Sequence, residues 1–377
     1  MWIHEYKNWS AFTWDIESLS GALAKVRHQQ GRLLGRMEGL GFDLRTEACL
    51  STLTHDVVKS SAIEGEILNA EEVRSSIARR LGIELPGLVD SSRDVDGIVA
   101  VLLDATQHFS VPLTKERLFD WHAALFPTGR SGMHRITVGD WRPIEAGPMQ
   151  VVSGAIGKET VHFEAPSADK LDSEMNQFLD WFESSNNMDP VIKAGIAHFW
   201  FVTVHPFEDG NGRIGRAICD MALARSEGIS ERFYSLSYQI EKERKQYYNV
   251  LERQQKSSAD ITPYLKWFLE CFARAMANVE STLSNVMFKA KLWDEINVKP
   301  VNERQKQIIN RMLQEDFVGH MNTSKYATLT KCSTDTALRD IQDLKDRGVF
   351  IQNPSGGRST SYRLPKKDEY GESDQRG

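Results

Sequence analysis

The residues best suited to chemistry lie in one run of twelve, His205-Pro206-Phe207-Glu208-Asp209-Gly210-Asn211-Gly212-Arg213-Ile214-Gly215-Arg216. An apolar helix is expected to end at Val204, and a second helix is expected to begin near Gly212. The glycines allow successive backbone N–H groups to turn into one concavity at a helix N-terminus, where the helix dipole favours anions. The run therefore predicts a phosphate-binding cradle.

The side chains around this cradle suit group transfer. Arg213 and Arg216 are three residues apart on the predicted helix and can both bind phosphate oxygens. Asp209 offers the hard oxygen ligand that Mg²⁺ prefers beside phosphates. A histidine such as His205, with an ordinary pKa of about 6.5, can take a proton from a hydroxyl near neutral pH. Each residue alone is better explained by capping, solvation or core packing, and only the combination favours a catalytic site.

This run resembles the signature of the Fic (Fido) family, His-Pro-Phe-x-(Asp/Glu)-Gly-Asn-Gly-Arg-x-x-Arg, at every fixed position. The upstream Gly139-Asp140-Trp141-Arg142 and a hairpin-like stretch after it also resemble the family. The resemblance to the Fic core covers residues 113–272. It implies a mainly α fold: a Fic (Fido) helical core with a β-hairpin flap, a helical N-terminal extension and a C-terminal winged helix-turn-helix.

The resemblance implies transfer of AMP from ATP to a Ser, Thr or Tyr hydroxyl of a target protein, or of the chain itself. His205 would be the base and Asp209 the Mg²⁺ ligand. The nucleotide site would comprise Gly210, Asn211, Gly212, Arg213, Ile214, Gly215 and Arg216, with Arg216 reaching the γ-phosphate. Tyr247 and Tyr248 would line it, although core packing explains this pair equally well. A flap at Val151, Val152, Ser153 and Gly154 would hold the target by strand addition.

A second motif lies upstream, at Ser60-Ser61-Ala62-Ile63-Glu64-Gly65. Ser60 and Glu64 are four residues apart and share a helix face. A glutamate near a helix end is usually solvated. Beside the signature, however, the run resembles the (Ser/Thr)-x-x-x-Glu-(Gly/Asn) inhibitory motif of the Fic class with an N-terminal inhibitory helix. That resemblance implies a bidentate Glu64–Arg216 pair that keeps this arginine from the γ-phosphate.

Hydrophobic periodicity supplies the elements that must position these residues. Helical spacing joins Ile16, Leu19, Leu23, Val26, Leu33 and Met37, and again Leu50, Leu53 and Val57 before a helix stop at Gly65. Asn69 and Glu72 suggest a capping box that opens a third helix. Two β-prone runs, 150–152 and 160–163, predict a hairpin. One long helix is expected over 241–255, and another after Pro263.

The segment from about Val301 to Pro365 resembles a winged helix-turn-helix. A DNA-binding role would direct Thr334, Thr336, Arg339 and Gln342 toward base edges. Asp335, Asp340, Asp343 and Asp346 lie on the same predicted helix and would repel phosphates. We therefore favour dimer packing or target recruitment over DNA binding for this segment.

These boundaries predict five parts: a helical extension (1–111), the Fic core (112–272), a linker helix (273–299), a winged-helix-like domain (300–365) and a disordered tail (366–377). The composition agrees with a globular protein, because 41% of the 377 residues are hydrophobic and 26% are charged. A net charge of −6 argues against a protein that wraps a polyanion.

The cysteines Cys49, Cys219, Cys271 and Cys332 lack the spacing of a zinc site or a disulfide framework. We expect a cytoplasmic chain without a secretory signal peptide or a membrane span, with ATP, Mg²⁺ and a hydroxyl-bearing protein as its partners and a homodimer as a family expectation. Two alternatives stay open. One is AMP removal, or transfer of UMP, phosphate or phosphocholine; the other is a winged-helix regulator that senses nucleotide without much turnover.

Overall fold

The computed structural model describes residues 1–39, 42–154, 160–185, 187–297, 301–313, 317–354 and 360–366. The described chain is mainly helical, as expected, with short two-stranded sheets and no closed sheet among these residues. It divides into two compact units, Met1–Glu280 and Ser281–Gly377. None of the described helices is both long enough and apolar enough to cross a membrane.

The first unit contains the helices α1 (Ile16–Glu38), α2 (Phe42–Ile63), α3 (Ala70–Leu81), α4 (Arg93–Gln107), α5 (Lys115–Leu125), α6 (Leu171–Glu183), α7 (Pro190–Val204), α8 (Asn211–Glu227), α9 (Leu236–Lys242) and α10 (Arg244–Gln255). The helix α11 (Thr262–Asn297) begins in it. Two antiparallel hairpins complete the unit, β1 (Arg130–Ser131) with β2 (His134–Arg135) and β3 (Gln150–Ser153) with β4 (Thr160–Glu164). Short 3₁₀ turns occur at Ile3–Glu5, Ile144–Ala146 and Ala168–Lys170.

The helix α7 is buried along almost its whole length, from Val191 to Val204 with the exception of Lys193, so it forms the centre of this unit. Asp189 caps its first turn by accepting from the N–H groups of Val191 and Ile192, and Pro190 occupies the first helical position. The neighbouring helix α8 approaches closely at Gly215, where an added Cβ would lie 2.8 Å from the Val202 side chain. This packing fixes where the loop between α7 and α8 must lie.

The N-terminal helices follow the predicted pattern with two differences. Leu19, Val26, Leu33 and Met37 are buried on α1, but Ile16 at its first position is half exposed. Asn69 caps α3 as predicted, accepting from the N–H groups of Glu71 and Glu72. The prediction of a capping box is wrong. The Glu72 carboxylate accepts instead from the N–H of Ser92 and so ties the start of α3 to the start of α4.

Two further predictions change in detail. The single helix expected over 241–255 is two helices, because α9 ends at Lys242 and α10 begins at Arg244 on either side of Glu243. The predicted hairpin is present as β3 and β4, with an irregular register between Val151 and Val152. Residues 155–159, between the two strands, lie outside the described residues.

The second unit holds the end of α11, the helices α12 (Glu303–Met312), α13 (Thr323–Thr330) and α14 (Thr334–Asp346), and a hairpin of β5 (Ile351–Gln352) and β6 (Tyr362–Arg363). Ile308, Tyr326, Ile341, Leu344 and Phe350 are at the centre of its hydrophobic core. The expected tail beyond Lys366 lies outside the described residues.

The structure weakens one reason for disfavouring DNA binding by this unit. Asp340 is buried on α14, accepts from the Arg304 Nε at 2.8 Å and is a partner of the Tyr326 hydroxyl. Asp343 accepts from Gln305 and Arg347. These two carboxylates are occupied within the unit, so fewer acidic groups on α14 would face phosphates than the sequence suggested. The preference for dimer packing or target recruitment over DNA binding stays a prediction.

Candidate active site

His205 occupies the turn where α7 ends, with φ of 52° in the left-handed region that few non-glycine residues adopt. Its Nδ1–H donates to the Val202 carbonyl at 3.2 Å. This bond fixes the tautomer and leaves the Nε2 lone pair free to accept a proton. Burial, with a smaller contribution from the Arg142 charge, lowers the pKa of His205 to about 4, which keeps the imidazole neutral at physiological pH.

Arg142 braces the loop that follows. Its Nε donates to the His205 carbonyl at 2.9 Å, its backbone N–H donates to the Pro206 carbonyl at 2.9 Å, and its guanidinium also donates to the Pro166 carbonyl. The side chain is 3% exposed. The sequence placed Arg142 in a family-like motif but gave it no role, because these contacts depend on the fold.

Asn211 and His122 hold the same loop from the other side. The Asn211 amide accepts from the Phe207 N–H at 2.9 Å and donates to the Phe207 carbonyl at 2.8 Å, so this side chain closes the loop. His122 accepts from the Gly139 N–H and donates to the Asp209 carbonyl, each at 3.2 Å. No local sequence pattern reveals that His122 contacts this loop.

Asp209 presents its carboxylate beside the first turn of α8. Its Oδ1 accepts from the Gly210 N–H at 2.6 Å and lies 3.8 Å from Nη2 of Arg213, while its Oδ2 accepts from the Ser131 hydroxyl. The side chain is partly exposed, unlike the buried arginines next to it. Asp209 is thus oriented by three neighbours and still open toward a ligand. Ser131 was not among the predicted site residues.

The N-terminus of α8 stands where the sequence predicts a phosphate-binding cradle. Gly210 is the N-cap with φ of 84°, and a Cβ there would lie 2.9 Å from the Phe126 ring. At Gly212 a Cβ would lie 2.0 Å from Glu64 Oε1. The carboxylate of Glu64 therefore sits against the first turn of α8, where the helix dipole favours an anion.

Arg216 is 3% exposed and is held by the C-terminal end of α2. Its Nε donates to the Ser60 hydroxyl at 2.9 Å, its Nη2 to the Ser60 carbonyl at 2.8 Å, and its Nη1 to Glu64 Oε1 at 2.9 Å. The expected Glu64–Arg216 contact is present, but it is monodentate rather than bidentate. The reason is that Ser60 accepts hydrogen bonds from Nε and Nη2, which leaves only Nη1 for Glu64.

Arg213 has a carboxylate partner of its own, which the sequence reasoning missed. Its Nη1 lies 2.7 Å from Glu66 Oε2, and its guanidinium stacks over the Phe126 ring at 5.1 Å. Its Nε is buried and has no hydrogen-bond partner among the described residues. Buried donors are rarely left unpaired in proteins, so this atom marks unused donor capacity on Arg213.

The two tyrosines have different surroundings. Tyr247 is 2% exposed and contacts the buried His198 through its hydroxyl at 3.2 Å, as a core residue would. Tyr248 donates to the Ile63 carbonyl at 3.2 Å and to Glu64 Oε2 at 3.3 Å. Tyr248 therefore lies at the cradle, and the more deeply buried Tyr247 also interacts with the Arg216 guanidinium. Ile214 is fully buried and Gly215 faces α7, which is a packing environment for both.

The flap hairpin is tethered to α10. His162 on β4 donates from Nδ1 to Glu252 Oε2 at 2.8 Å, and its Nε2 pairs with the Ser153 hydroxyl on β3 at 2.6 Å. Val152 remains 47% exposed, and Gly154 has φ of 110°. The predicted flap residues thus form one tethered, partly exposed hairpin.

Known proteins and family models resemble this chain in sequence and in fold. Residues 112–223 match the model of the Fic/DOC family, and residues 2–83 match a domain of unknown function, DUF4172. The chain resembles a solved Fic family protein from Desulfovibrio desulfuricans G20 with a TM-score of 0.51 and 21% identity, covering 91% of this chain and 96% of that one. The helical architecture and the signature loop define a Fic-fold protein.

Several curated relatives are named protein adenylyltransferases. The chain is 31% identical over 172 residues to the protein adenylyltransferase fic-1 of Caenorhabditis briggsae, covering 45% of this chain and 31% of that protein. It is 24% identical over 236 residues to the protein adenylyltransferase Fic of Drosophila grimshawi, covering 62% of this chain and 43% of that protein. The chain thus spans less than half of these relatives. It contains a Fic/DOC domain, with homologues among the Fic adenylyltransferases.

Proposed function

We propose that this chain transfers AMP from ATP to hydroxyl groups of proteins, including its own. The observation that carries the proposal is the arrangement of His205, Asp209, Arg213 and Arg216 around one helix N-terminus, within a Fic/DOC domain. The names of the curated relatives support the same reaction. A site that only senses nucleotide would not need a histidine fixed in the tautomer of a base.

In the proposed reaction, Nε2 of His205 takes the proton of a Ser, Thr or Tyr hydroxyl. The freed oxygen attacks the α-phosphorus of ATP, a new P–O bond forms, and the bond to the β-phosphate oxygen breaks to release pyrophosphate. Arg213, Arg216 and the N–H groups at the start of α8 stabilise the negative charge on the phosphates. Catalysis of this kind rests mainly on positioning and charge stabilisation.

The residues present suit Mg²⁺ with ATP. Asp209 supplies one partly exposed carboxylate, and the described residues contain no cluster of three metal-ligating side chains. Mg²⁺ commonly binds through one or two carboxylates together with substrate phosphates and water. Asp209 would hold the ion, whose charge would neutralise that of the phosphates.

The flap would hold the target by adding a strand to the hairpin of β3 and β4. Strand addition uses main-chain groups and therefore demands little of the target's sequence. The exposure of Val152 on β3 and Val161 on β4 leaves apolar contacts for such a strand. Tyr248, beside the cradle, is the better candidate of the two tyrosines for contact with the nucleotide.

Glu64 would restrain this activity. Its carboxylate occupies the first turn of α8 and pairs with Arg216, so a γ-phosphate cannot use the same donors until Glu64 leaves. Replacement with glycine removes the carboxylate. We expect the Glu64→Gly variant to label itself with AMP at least about tenfold faster than the unmodified chain, the factor that follows from loss of one charge-assisted hydrogen bond of about 1.4 kcal/mol.

Labelling with differently placed isotopes tests the reaction. Glu64→Gly protein incubated with Mg²⁺ should gain label from ATP labelled at the α-phosphate and none from ATP labelled at the γ-phosphate. Label from the γ-position would indicate phosphate transfer, and stronger labelling with UTP would indicate UMP transfer. Equal labelling of the unmodified chain and Glu64→Gly would contradict inhibition by Glu64.

AMP removal needs a separate readout. Purified AMP-modified Glu64→Gly protein, freed of ATP, should retain its AMP when mixed with the unmodified chain. Release of AMP in that mixture would favour removal as the activity of the Glu64-containing form.

A further inference from the structure

Both arginines of the signature are paired with acidic residues from one short segment after α2. Glu64 Oε1 lies 2.9 Å from Arg216 Nη1, and Glu66 Oε2 lies 2.7 Å from Arg213 Nη1. The inhibitory motif that the sequence resembles includes Glu64 and ends at Gly65. Glu66 lies beyond it and holds the other arginine.

The backbone fixes these two carboxylates relative to each other. The Gly65 N–H donates to the Ala62 carbonyl at 3.1 Å, and the Glu66 N–H donates to the Ser61 carbonyl at 3.0 Å. With Gly65 at φ of 89°, these bonds form a Schellman motif that ends the helix. The segment 60–66, here named the α2 turn, thus carries Glu64 and Glu66 on one closed turn.

The spacing of the arginines matches this turn. Arg213 and Arg216 lie three residues apart on α8 and therefore project from neighbouring positions on the helix surface. Arg213 is 5% exposed, and its spare Nε shows that Glu66 uses only part of its donor capacity. The α2 turn places one carboxylate on each of the two guanidinium groups.

Glu66 is held at an electrostatic cost. Burial raises the pKa of Glu66, Arg213 lowers it, and the nearby Asp209 and Glu64 carboxylates raise it further. Its side chain is 44% exposed, so the pair is accessible to a competing anion. An ATP phosphate would offer Arg213 more negative charge than one carboxylate and so can compete for its guanidinium.

We propose that Glu66 is a second inhibitory residue, which occupies the phosphate subsite of Arg213 while Glu64 occupies that of Arg216. This inference rests on the proposed ATP site and extends its regulation. A ligand with several linked phosphates displaces both carboxylates, whereas adenosine displaces neither. Loss of Glu66 therefore tightens ATP binding without changing adenosine binding.

Calorimetric titration tests this in a His205→Ala background, where turnover does not interfere. With ATP and Mg²⁺, we expect Glu66→Gln to lower the Kd about fivefold and Glu64→Gly about tenfold, in the range for partly exposed and buried charged pairs. The double variant should approach the product of the two factors. Glu84→Gln, which removes the same charge from an exposed position beyond α3, should leave the Kd unchanged.

The titrations separate failure of this inference from failure of the proposed function. If Glu66→Gln matches Glu84→Gln while Glu64→Gly tightens ATP binding, the role of Glu66 is contradicted and the ATP site stands. Equal tightening of ATP and adenosine by Glu66→Gln would also contradict it, because a general structural change would then explain the effect. If no variant binds ATP, the proposed function fails and the inference fails with it. An ATP analogue with a methylene group between the α- and β-phosphates, titrated into variants with His205 intact, repeats the test without the background substitution.

Discussion

Two helix ends meet at the candidate active site, and both leave the helix through a positive φ. α7 ends at His205 with φ of 52°, and α2 ends near Gly65 with φ of 89°. For glycine this conformation carries little cost, whereas for other residues it costs roughly 1–2 kcal/mol. The positive φ at His205 therefore carries a conformational cost, whereas the positive φ at Gly65 carries little.

The contacts that hold these two helix ends in place also differ. The loop after α7 is held by Arg142, Asn211 and His122 through hydrogen bonds to its backbone. The α2 turn is held by its own backbone bonds and by the two arginines of the cradle. Under the proposed function, a phosphate would take the place of the second set of contacts but not of the first. On that proposal the α7 end is the permanent part of the site, and the α2 turn is the replaceable part.

The largest expected effect comes from removing the base. In the Glu64→Gly background, His205→Ala should reduce AMP transfer about 10²–10⁴-fold, the usual contribution of a general base. The rate of labelling from α-labelled ATP measures this. An unchanged Kd for ATP and an unchanged circular dichroism spectrum would show that the site remains folded. A rate within threefold of the parent would remove His205 from the mechanism.

Weakening the permanent end should damage stability and activity together. Arg142→Ala leaves the His205 and Pro166 carbonyls without their buried donor, and we expect the free energy of unfolding to fall by about 2–3 kcal/mol. AMP transfer in the Glu64→Gly background should fall about tenfold for each 1.4 kcal/mol that the distorted loop adds to the activation free energy. Urea denaturation and labelling rates measure the two effects. Arg130→Ala, which removes an exposed arginine from β1, is the matched control and should change neither.

Destabilising the α2 turn should instead strengthen ATP binding. Gly65→Ala puts a Cβ at a positive φ and should cost about 1 kcal/mol of stability, while ATP binds about threefold to fivefold more tightly because the α2 turn is less well held. Thermal denaturation and calorimetry measure these changes. Gly21→Ala, at an uncrowded helical position of α1, should instead stabilise the chain by about 0.5–1 kcal/mol and leave ATP affinity alone. Weaker ATP binding by Gly65→Ala would contradict the replaceable role of the turn.

The smallest expected effect is on pH dependence. Burial disfavours the imidazolium form, so the His205 ring should stay neutral above its lowered pKa of about 4 and become charged only below it. Between pH 6 and 8, titration of His205 should therefore change the rate less than twofold. NMR titration of the nucleotide-free chain, with the resonance assigned by a His205→Asn variant, gives the pKa directly. A midpoint near pH 6.5 would contradict the buried environment of the ring.

The sequence was sufficient for the parts of the site that are local. The cradle, the arginine pair and the base belong to one continuous run, so their helix–loop–helix placement followed from spacing and glycine content. The motif resemblance likewise paired Glu64 with Arg216 across the fold. The start of α7 is also encoded locally, because Asp189 and Pro190 have the residue types of an N-cap and a first helical position.

The contacts that the sequence did not predict are long-range. Glu66 meets Arg213 across 147 residues of chain, and Arg142 reaches the His205 carbonyl across 63. Their partners depend on how α2, α8 and the segment before the flap pack, which no local pattern encodes. The monodentate geometry of Glu64 has the same origin, because Ser60 competes for the same guanidinium.

The most direct test of AMP transfer restrained by the α2 turn is the intact mass of the purified chain after incubation with ATP and Mg²⁺. Glu64→Gly should gain the mass of at least one AMP, the unmodified chain should gain much less, and Glu64→Gly with His205→Ala should gain none. A Glu64→Gly chain that binds ATP yet keeps its original mass would contradict AMP transfer onto the chain itself. An equal gain by the unmodified chain would contradict the restraint.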